Sequence, residues 1–157
     1  MSEHDVTSPE DMQDQQLASI LQRVGGALVD GLLVSMVVVV PLLLGFIDLD
    51  SVEAALPAPI ILGLFLFGAL YTIVPTAVWG QTPGKIAVGT RVVVEEDGSL
   101  PGWRRATVRW ALPGILGRLP EVGLWVSLAI MASLVLDRRR RGLHDRVAGT
   151  IVIRVPR

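Results

Sequence analysis

The sequence of 157 residues contains no cysteine, and no lysine or arginine precedes Arg23. The lack of cysteine excludes disulfide bonds and thiolate metal sites. A cleaved signal peptide needs a basic segment followed by an apolar core and a cleavage site, so we predict none here. We predict a disordered acidic tail over residues 1–16, with a partner-binding segment as the alternative. All five charged residues of this tail are acidic: Glu3, Asp5, Glu10, Asp11 and Asp14.

The chain also lacks the residue patterns of catalytic and metal-binding sites. It shows no nucleophile motif, no metal-ligand spacing and no paired carboxylates. The segment from Gln81 to Lys85 is not a phosphate-binding loop, because Ile86 stands where Ser or Thr would bind magnesium. We interpret His144 and Asp145 as a local hydrogen-bonded pair rather than a catalytic dyad. We therefore predict a protein that is not an enzyme and that uses no cofactor or metal.

Long apolar runs dominate the rest of the chain. Apolar residue types make up 51% of the sequence, and the mean hydropathy is +0.55. Residues 17–157 therefore fit one small integral membrane domain better than a soluble one. Residues 24–47 and about 59–79 are each long enough to cross a hydrocarbon core of roughly 30 Å. Pro41 and Pro75 predict kinks in these two spans.

A third apolar region, residues 103–136, is interrupted by charge and proline near Pro120. Its two apolar parts, residues 110–117 and 122–136, are shorter than the roughly 17 to 25 residues that usually span a membrane. If only the second part crossed, the arginines at 138–141 would lie outside, against the positive-inside rule. We favour a hairpin that crosses or re-enters. The fold class is then an all-α membrane protein with three to four transmembrane or re-entrant helices.

Two short segments have β-strand character. Residues 91–96 (RVVVEE) lead into the turn pair Asp97–Gly98, and residues 149–155 (GTIVIRV) are equally rich in β-branched side chains. A lone two-stranded ribbon is marginal, so we predict that these segments pair or pack together on the membrane domain. We expect a small cytoplasmic β-ribbon, which requires both segments to lie on the same side of the membrane.

Asp30 lies in the middle of the first apolar run, seven residues after Arg23. A carboxyl group near the bilayer centre costs roughly 2.5 to 3.5 kcal/mol, so it needs a partner, a water path or a proton. Seven helical residues return to nearly the same face, and this face should contact protein rather than lipid. We expect Arg23 to extend toward lipid phosphate while Asp30 finds a partner elsewhere. A structural polar lock and a proton or cation site are both open interpretations.

Basic residues after the second span are candidates for contact with anionic lipid head groups. They are Lys85, Arg104, Arg105 and Arg109. Trp103 and Trp110 lie among the arginines, which indicates an interfacial amphipathic helix. The tetrad at 138–141 has the composition of a stop-transfer anchor. Nucleic acid would also use arginines beside tryptophans, but next to membrane segments we predict no nucleic-acid partner.

Ala27, Gly31 and Ser35 form a ladder of small residues on the first helix. Such a ladder lets another backbone approach closely and is typical of ordinary helix packing rather than of a pore lining. Because the chain is small, we expect it to act as a homo-oligomer or with a partner membrane protein.

Four motifs together resemble the RDD family of small multi-pass membrane proteins. They are RVGGALVDGLL, QTPGKIAVGTRVVVEEDG, RRATVRW and RRRRGLHDRVAGTIVI, and they cover about residues 21–153. The family is named for one arginine and two aspartates, which by motif are Arg23, Asp30 and Asp145. The resemblance implies a membrane domain associated with transport of ligands or ions, with sodium/proton exchange proposed for some members.

These observations leave two functional hypotheses. In the first, the protein transports an ion or small ligand in a proton- or sodium-coupled manner, and Asp30 is the titrating group. In the second, it is a non-enzymatic scaffold or accessory subunit in which Arg23, Asp30 and Asp145 fix helix packing. In both we expect a multi-pass plasma-membrane protein with cytoplasmic N- and C-termini.

Overall fold

Two long apolar helices form the largest part of the structure, a computed structural model that describes residues 17–46, 57–137 and 139–155. Helix α1 is Ile20–Leu43 and helix α2 is Ala58–Trp79, and both are long and apolar enough to cross a membrane. The two predicted spans are thus confirmed as helices of spanning length. The predicted acidic tail, residues 1–16, lies outside the described residues.

The start of α1 is encoded by a capping box. Ser19 Oγ accepts a hydrogen bond from the Gln22 backbone N–H at 3.1 Å, and the Gln22 side chain accepts one from the Ser19 backbone N–H at 3.0 Å. This exchange satisfies two backbone donors that the first turn leaves free. The helix therefore begins four residues before the predicted span, and it continues through Pro41.

The apolar side chains of α1 and α2 are mostly exposed within the chain. In α1 only Gly26 is buried, and Leu28 and Leu32 expose 64% and 61% of their surface. A soluble protein rarely presents such a large contiguous apolar surface. Lipid tails cover it without cost, so the two helices have the surface of membrane-spanning segments.

The third apolar region folds as two short helices. Helix α4, Gly102–Ile115, continues into a 3₁₀ turn at Leu116–Arg118, and helix α5, Gly123–Leu136, follows. The predicted interruption near Pro120 is therefore confirmed. Helix α4 packs along α2, where the rings of Phe65 and Trp110 meet edge to face at 5.2 Å. Both helices have 14 residues, about 21 Å at 1.5 Å per residue, which is short of a full crossing.

The β-ribbon pairs segments from distant parts of the chain. Strand β1, Thr90–Val94, follows the short helix α3, Pro83–Ala87, and strand β2, Thr150–Arg154, follows the short helix α6, Leu143–Ala148. The strands are antiparallel, with Val92 opposite Val152. The predicted pairing of the two β-type segments is confirmed.

The ribbon is extended by the residues that precede α1. The Ala18 backbone N–H donates to the Val152 carbonyl at 3.0 Å, and Leu17 forms a bridge to Ile153. Ala18, Val92 and Val152 are buried together in a small core. The entry to α1, the segment after α2 and the C-terminal strand therefore meet at one end of the molecule.

Two glycines allow α1 and α3 to approach closely. A Cβ atom added to Gly84 would collide with the Gly26 carbonyl oxygen and would lie 2.7 Å from Asp30 Cγ. Gly31, in the small-residue ladder, has nothing within 4 Å of such an atom. Within the chain, close packing therefore occurs at Gly26, whereas the predicted ladder position Gly31 faces open space.

We predict that Gly84→Ala destabilises the protein by about 1–3 kcal/mol, because overpacking would push α3 away from α1. Gly31→Ala is the matched control. It should be neutral or stabilising by about 0.5–1 kcal/mol, because alanine is favoured over glycine inside a helix. Thermal unfolding of both variants in the same detergent tests this, and equal unfolding temperatures would contradict the close contact.

Candidate functional site

Asp145 occupies the centre of the first polar site. Its side chain has no exposed surface, and it lies in the first turn of α6, where Oδ2 accepts the Gly142 backbone N–H at 3.0 Å. Arg23 Nη1 lies 2.7 Å from the same oxygen, and Arg109 Nη1 pairs with the other oxygen, Oδ1. A buried carboxylate is tolerated only with such pairing, so Asp145 requires both arginines.

The two arginines connect Asp145 to the rest of the fold. Arg23 comes from the first turn of α1, and its Nη2 also reaches the Val152 carbonyl at 3.5 Å. Arg109 comes from α4 and also donates to Thr150 Oγ1 on β2 at 3.2 Å. One carboxylate therefore ties together α1, α4, α6 and the ribbon.

His144 adjoins this site but stays neutral at neutral pH. Its Nε2 is 3.5 Å from Asp145 Oδ1. Burial, and then repulsion by Arg109, Arg23 and Lys85, lower the pKa of His144 well below its usual value. The neutral imidazole therefore adds no further positive charge to the site.

Asp30 forms a second polar site on α1. Its Oδ1 accepts hydrogen bonds from the Tyr71 hydroxyl on α2 and from the Gly84 backbone N–H, both at 2.8 Å. Its Oδ2 accepts one from the Thr82 hydroxyl at 2.5 Å. The ammonium group of Lys85 lies 3.7 Å from Oδ2 and donates to Thr82 Oγ1 at 3.1 Å. Asp30 is therefore partnered by three donors and one cation.

The local sequence explains why residues 82–85 wrap around this carboxylate. Thr82 is extended at the N-terminal end of α3, and Pro83 occupies the first helical position, where its missing N–H costs nothing. Gly84 lets the backbone N–H approach Asp30, because any Cβ would collide. The segment for which only a lipid contact at Lys85 was predicted is therefore a carboxylate-binding loop.

Lys85 has an unusual protonation equilibrium. Burial lowers the pKa of its ammonium group to about 8; repulsion by Arg109 and Arg23 acts in the same direction, and Asp30 opposes it. Three cations, Arg23, Lys85 and Arg109, thus share one region with the two carboxylates. We call these five residues, with Tyr71, Thr82 and His144, the polar cluster.

Several basic side chains have partners in the structure other than the lipid groups that were predicted for them. Arg23 was expected at lipid phosphate, but it binds Asp145 and its side chain is only 7% exposed. Lys85 and Arg109, expected at head groups, point into the polar cluster. Arg104 is exposed, and Arg105 lies 3.7 Å from Glu96.

The predicted stop-transfer tetrad also makes internal contacts. Arg139 and Arg141 both pair with Glu95 after β1, and Arg141 Nε lies 2.9 Å from Asp137. These ion pairs fasten the segment after α5 to the ribbon. Arg139 and Arg141 thus have a structural role in addition to their positive charge.

Tyr71, Thr82 and Thr150 were not predicted as site residues. One available signal was scarcity, because Tyr71 and Lys85 are the only tyrosine and the only lysine of the chain. Among the residues that the structure describes, no group of three or more His, Asp or Glu side chains could hold a metal ion.

The exposed apolar helices and the polar cluster at one end define a small membrane protein. The chain belongs to the RDD family, whose family model matches residues 17–149. The resemblance found in the motifs is thus confirmed. A search of curated proteins and a search of solved structures each found no match.

We predict that Lys85 titrates near pH 8. As the only lysine, it gives a single side-chain resonance in protein carrying isotope-labelled lysine. Between pH 8 and its usual pKa near 10.5 the folded protein should bind fewer protons than the unfolded chain, so stability should rise with pH in that window.

The matched control is Arg104→Lys, which adds one exposed lysine expected to titrate at about 10.4. Asp30→Asn should lower the Lys85 midpoint further, because the attraction that favours its charged form is removed. If Lys85 and the added lysine titrated at the same pH, the result would contradict the burial of Lys85 beside the arginines.

Proposed function

We propose that this membrane protein transports an ion or small ligand, coupled to a proton or sodium ion that binds at Asp30. The observation that carries the proposal is the geometry of Asp30, which is the only acidic residue within α1 and α2. Its carboxylate lies beside Lys85, a cation that can itself lose a proton. Ionisable groups in membrane helices commonly mark ion pathways and proton relays.

The coupling step is a competition between cations for Asp30. Below about pH 8, the Lys85 ammonium neutralises the carboxylate at 3.7 Å. Above that pH, Lys85 becomes neutral, and a sodium ion can take its place beside the carboxylate of Asp30. The oxygens of Asp30, Tyr71 and Thr82 are hard ligands of the kind that sodium prefers. Sodium binding at Asp30 should therefore strengthen as the pH rises through 8.

A scaffold or accessory-subunit role is the second candidate, and the Asp145 site favours it. Asp145 is fully buried and is held by two arginines, an arrangement that restrains α1, α4 and α6. If the Asp30 site were a lock of the same kind, its contacts with Tyr71 and Thr82 would only join α2 and α3 to α1. In that case the protein would be non-enzymatic and would act through its partners.

We predict that Asp30→Asn abolishes gradient-driven flux in proteoliposomes while the protein still folds. Asparagine keeps the shape of the side chain and accepts hydrogen bonds, but it cannot titrate. Flux under imposed proton and sodium gradients and thermal stability would be measured on the same preparations. Glu121→Gln, an exposed carboxylate outside the polar cluster, is the control for the loss of one charge.

Unchanged flux in Asp30→Asn would contradict the coupling role. Absence of flux in the wild type under every gradient would favour the scaffold role. In the scaffold case Asp30→Asn should instead lower stability by roughly 3–5 kcal/mol, because it leaves Lys85 buried without a counter-charge.

We further propose a plasma-membrane location with both termini in the cytoplasm and α4 and α5 as a hairpin. The ribbon supports this, because Ala18, β1 and β2 are hydrogen-bonded and must share one side of the membrane. The chain between β1 and β2 must then cross an even number of times. The basic segments around α4 and after α5 favour the cytoplasmic side.

We predict that reporters inserted at Gly98 and fused after Arg157 both report the cytoplasm. Gly98 has φ of 70° and open space around it, so its turn should accept an insertion. Opposite locations for the two reporters would contradict both the hairpin and the paired strands.

We also propose that the protein forms a homo-oligomer or binds a partner membrane protein. It contacts anionic lipid head groups and binds no nucleic acid. Ala27, Gly31 and Ser35 support this association, because all three are exposed within the chain. Cross-linking of Ser35→Cys in this cysteine-free chain tests the homo-oligomer, and a monomer-only result in native membranes would exclude it at this face.

A further inference from the structure

A groove of about 730 Å³ opens where the last turn of α2 meets α3, β1 and the loop after β1. Four apolar residues of its wall are exposed: Val78 by 41%, Trp79 by 59%, Ile86 by 60% and Leu100 by 46%. Contiguous exposed apolar surface marks a binding site or a membrane contact. Because Trp79 ends the apolar surface of α2, and tryptophan favours the membrane boundary, the groove opens at the edge of the lipid-facing surface.

Arg91 supplies the polar part of the groove. Its Nη2 donates a hydrogen bond to the side-chain oxygen of Gln81 at 3.2 Å. The side chain of Gln81 is a neutral amide, so it does not balance the charge of Arg91. Its Nε is buried and has no hydrogen-bond partner among residues 17–46, 57–137 and 139–155. Within those ranges no carboxylate forms a salt bridge with Arg91. The groove therefore combines apolar walls with a positive group that no acid in those ranges neutralises.

We propose that this groove binds one anionic phospholipid, with the phosphate on Arg91 and an acyl chain along Val78, Trp79 and Ile86. A guanidinium group suits phosphate because its planar donors can bind two oxygens at once. The apolar wall is continuous with the lipid-facing surface of α2, so the acyl chain need not leave the bilayer. A free phosphate ion would leave the wall uncovered, and an apolar helix would leave Arg91 without an anion.

This site differs from the head-group contacts expected from the sequence. Lys85 and Arg109 face the polar cluster and already have carboxylate partners. Successive side chains of a strand point to opposite faces of the sheet. Arg91 therefore lies on the face of β1 opposite to buried Val92. Lipid binding at Arg91 is thus independent of any ion coupling at Asp30.

The test titrates the purified full-length chain with phosphatidylglycerol, or with zwitterionic phosphatidylcholine, and counts bound lipids by native mass spectrometry. The wild type should retain one phosphatidylglycerol in preference to phosphatidylcholine. Arg91→Gln should weaken phosphatidylglycerol binding about fivefold, because one basic group near an anionic surface contributes about 1 kcal/mol. Arg146→Gln, which removes an exposed arginine that lies outside the groove and is not a head-group candidate, should leave it unchanged.

A second variant tests the apolar wall and guards against misfolding of the first. Ile86→Ser changes a side chain that is 60% exposed, so the fold should persist while both lipids bind more weakly. Unchanged phosphatidylglycerol binding in either groove variant would overturn the proposal. Equal losses in Arg91→Gln and Arg146→Gln would do so too, as would displacement of the bound lipid by inorganic phosphate.

Discussion

The pairing of buried Asp145 with Arg23 and Arg109 is the interaction on which the rest of the fold depends. Asp145 has no exposed surface, and its partners come from α1 and α4. Removing one member of a buried ion pair leaves an uncompensated charge and costs roughly 3–5 kcal/mol. Helices that mostly expose apolar surface to lipid gain little from packing on each other. Polar contacts at one end therefore determine how these helices are arranged.

The charges of the Asp145 site act on the Asp30 site. Lys85 is repelled by Arg23 and Arg109, the partners of Asp145, and attracted by Asp30. A proton lost from Lys85, or a cation gained by Asp30, therefore changes the electrostatic free energy of the arginines that hold Asp145. For the proposed coupling at Asp30, this is the physical route by which cation binding would change the helix arrangement.

The sequence predicted the features that depend on neighbouring residues. The long helices follow from run length, the interruption near Pro120 from local charge and proline, and the ribbon from β-branched composition. Partner choice was not predictable in this way, because Arg23 and Asp145 are 122 positions apart. An amphipathic pattern also does not distinguish a face toward lipid phosphate from a face toward a buried carboxylate. For this reason Arg109 was assigned to head groups although it binds Asp145.

A double-mutant cycle between Arg23 and Asp145 tests the central role of this ion pair most directly. Arg23→Gln, Asp145→Asn and the double variant would be compared by equilibrium unfolding in one detergent. The pair of half-buried Arg105 and exposed Glu96, 3.7 Å apart, provides the reference cycle, with an expected coupling energy of about 0.2–1 kcal/mol. For Arg23 and Asp145 the expected coupling energy is about 2–3 kcal/mol. Additive effects within about 0.5 kcal/mol would contradict the account.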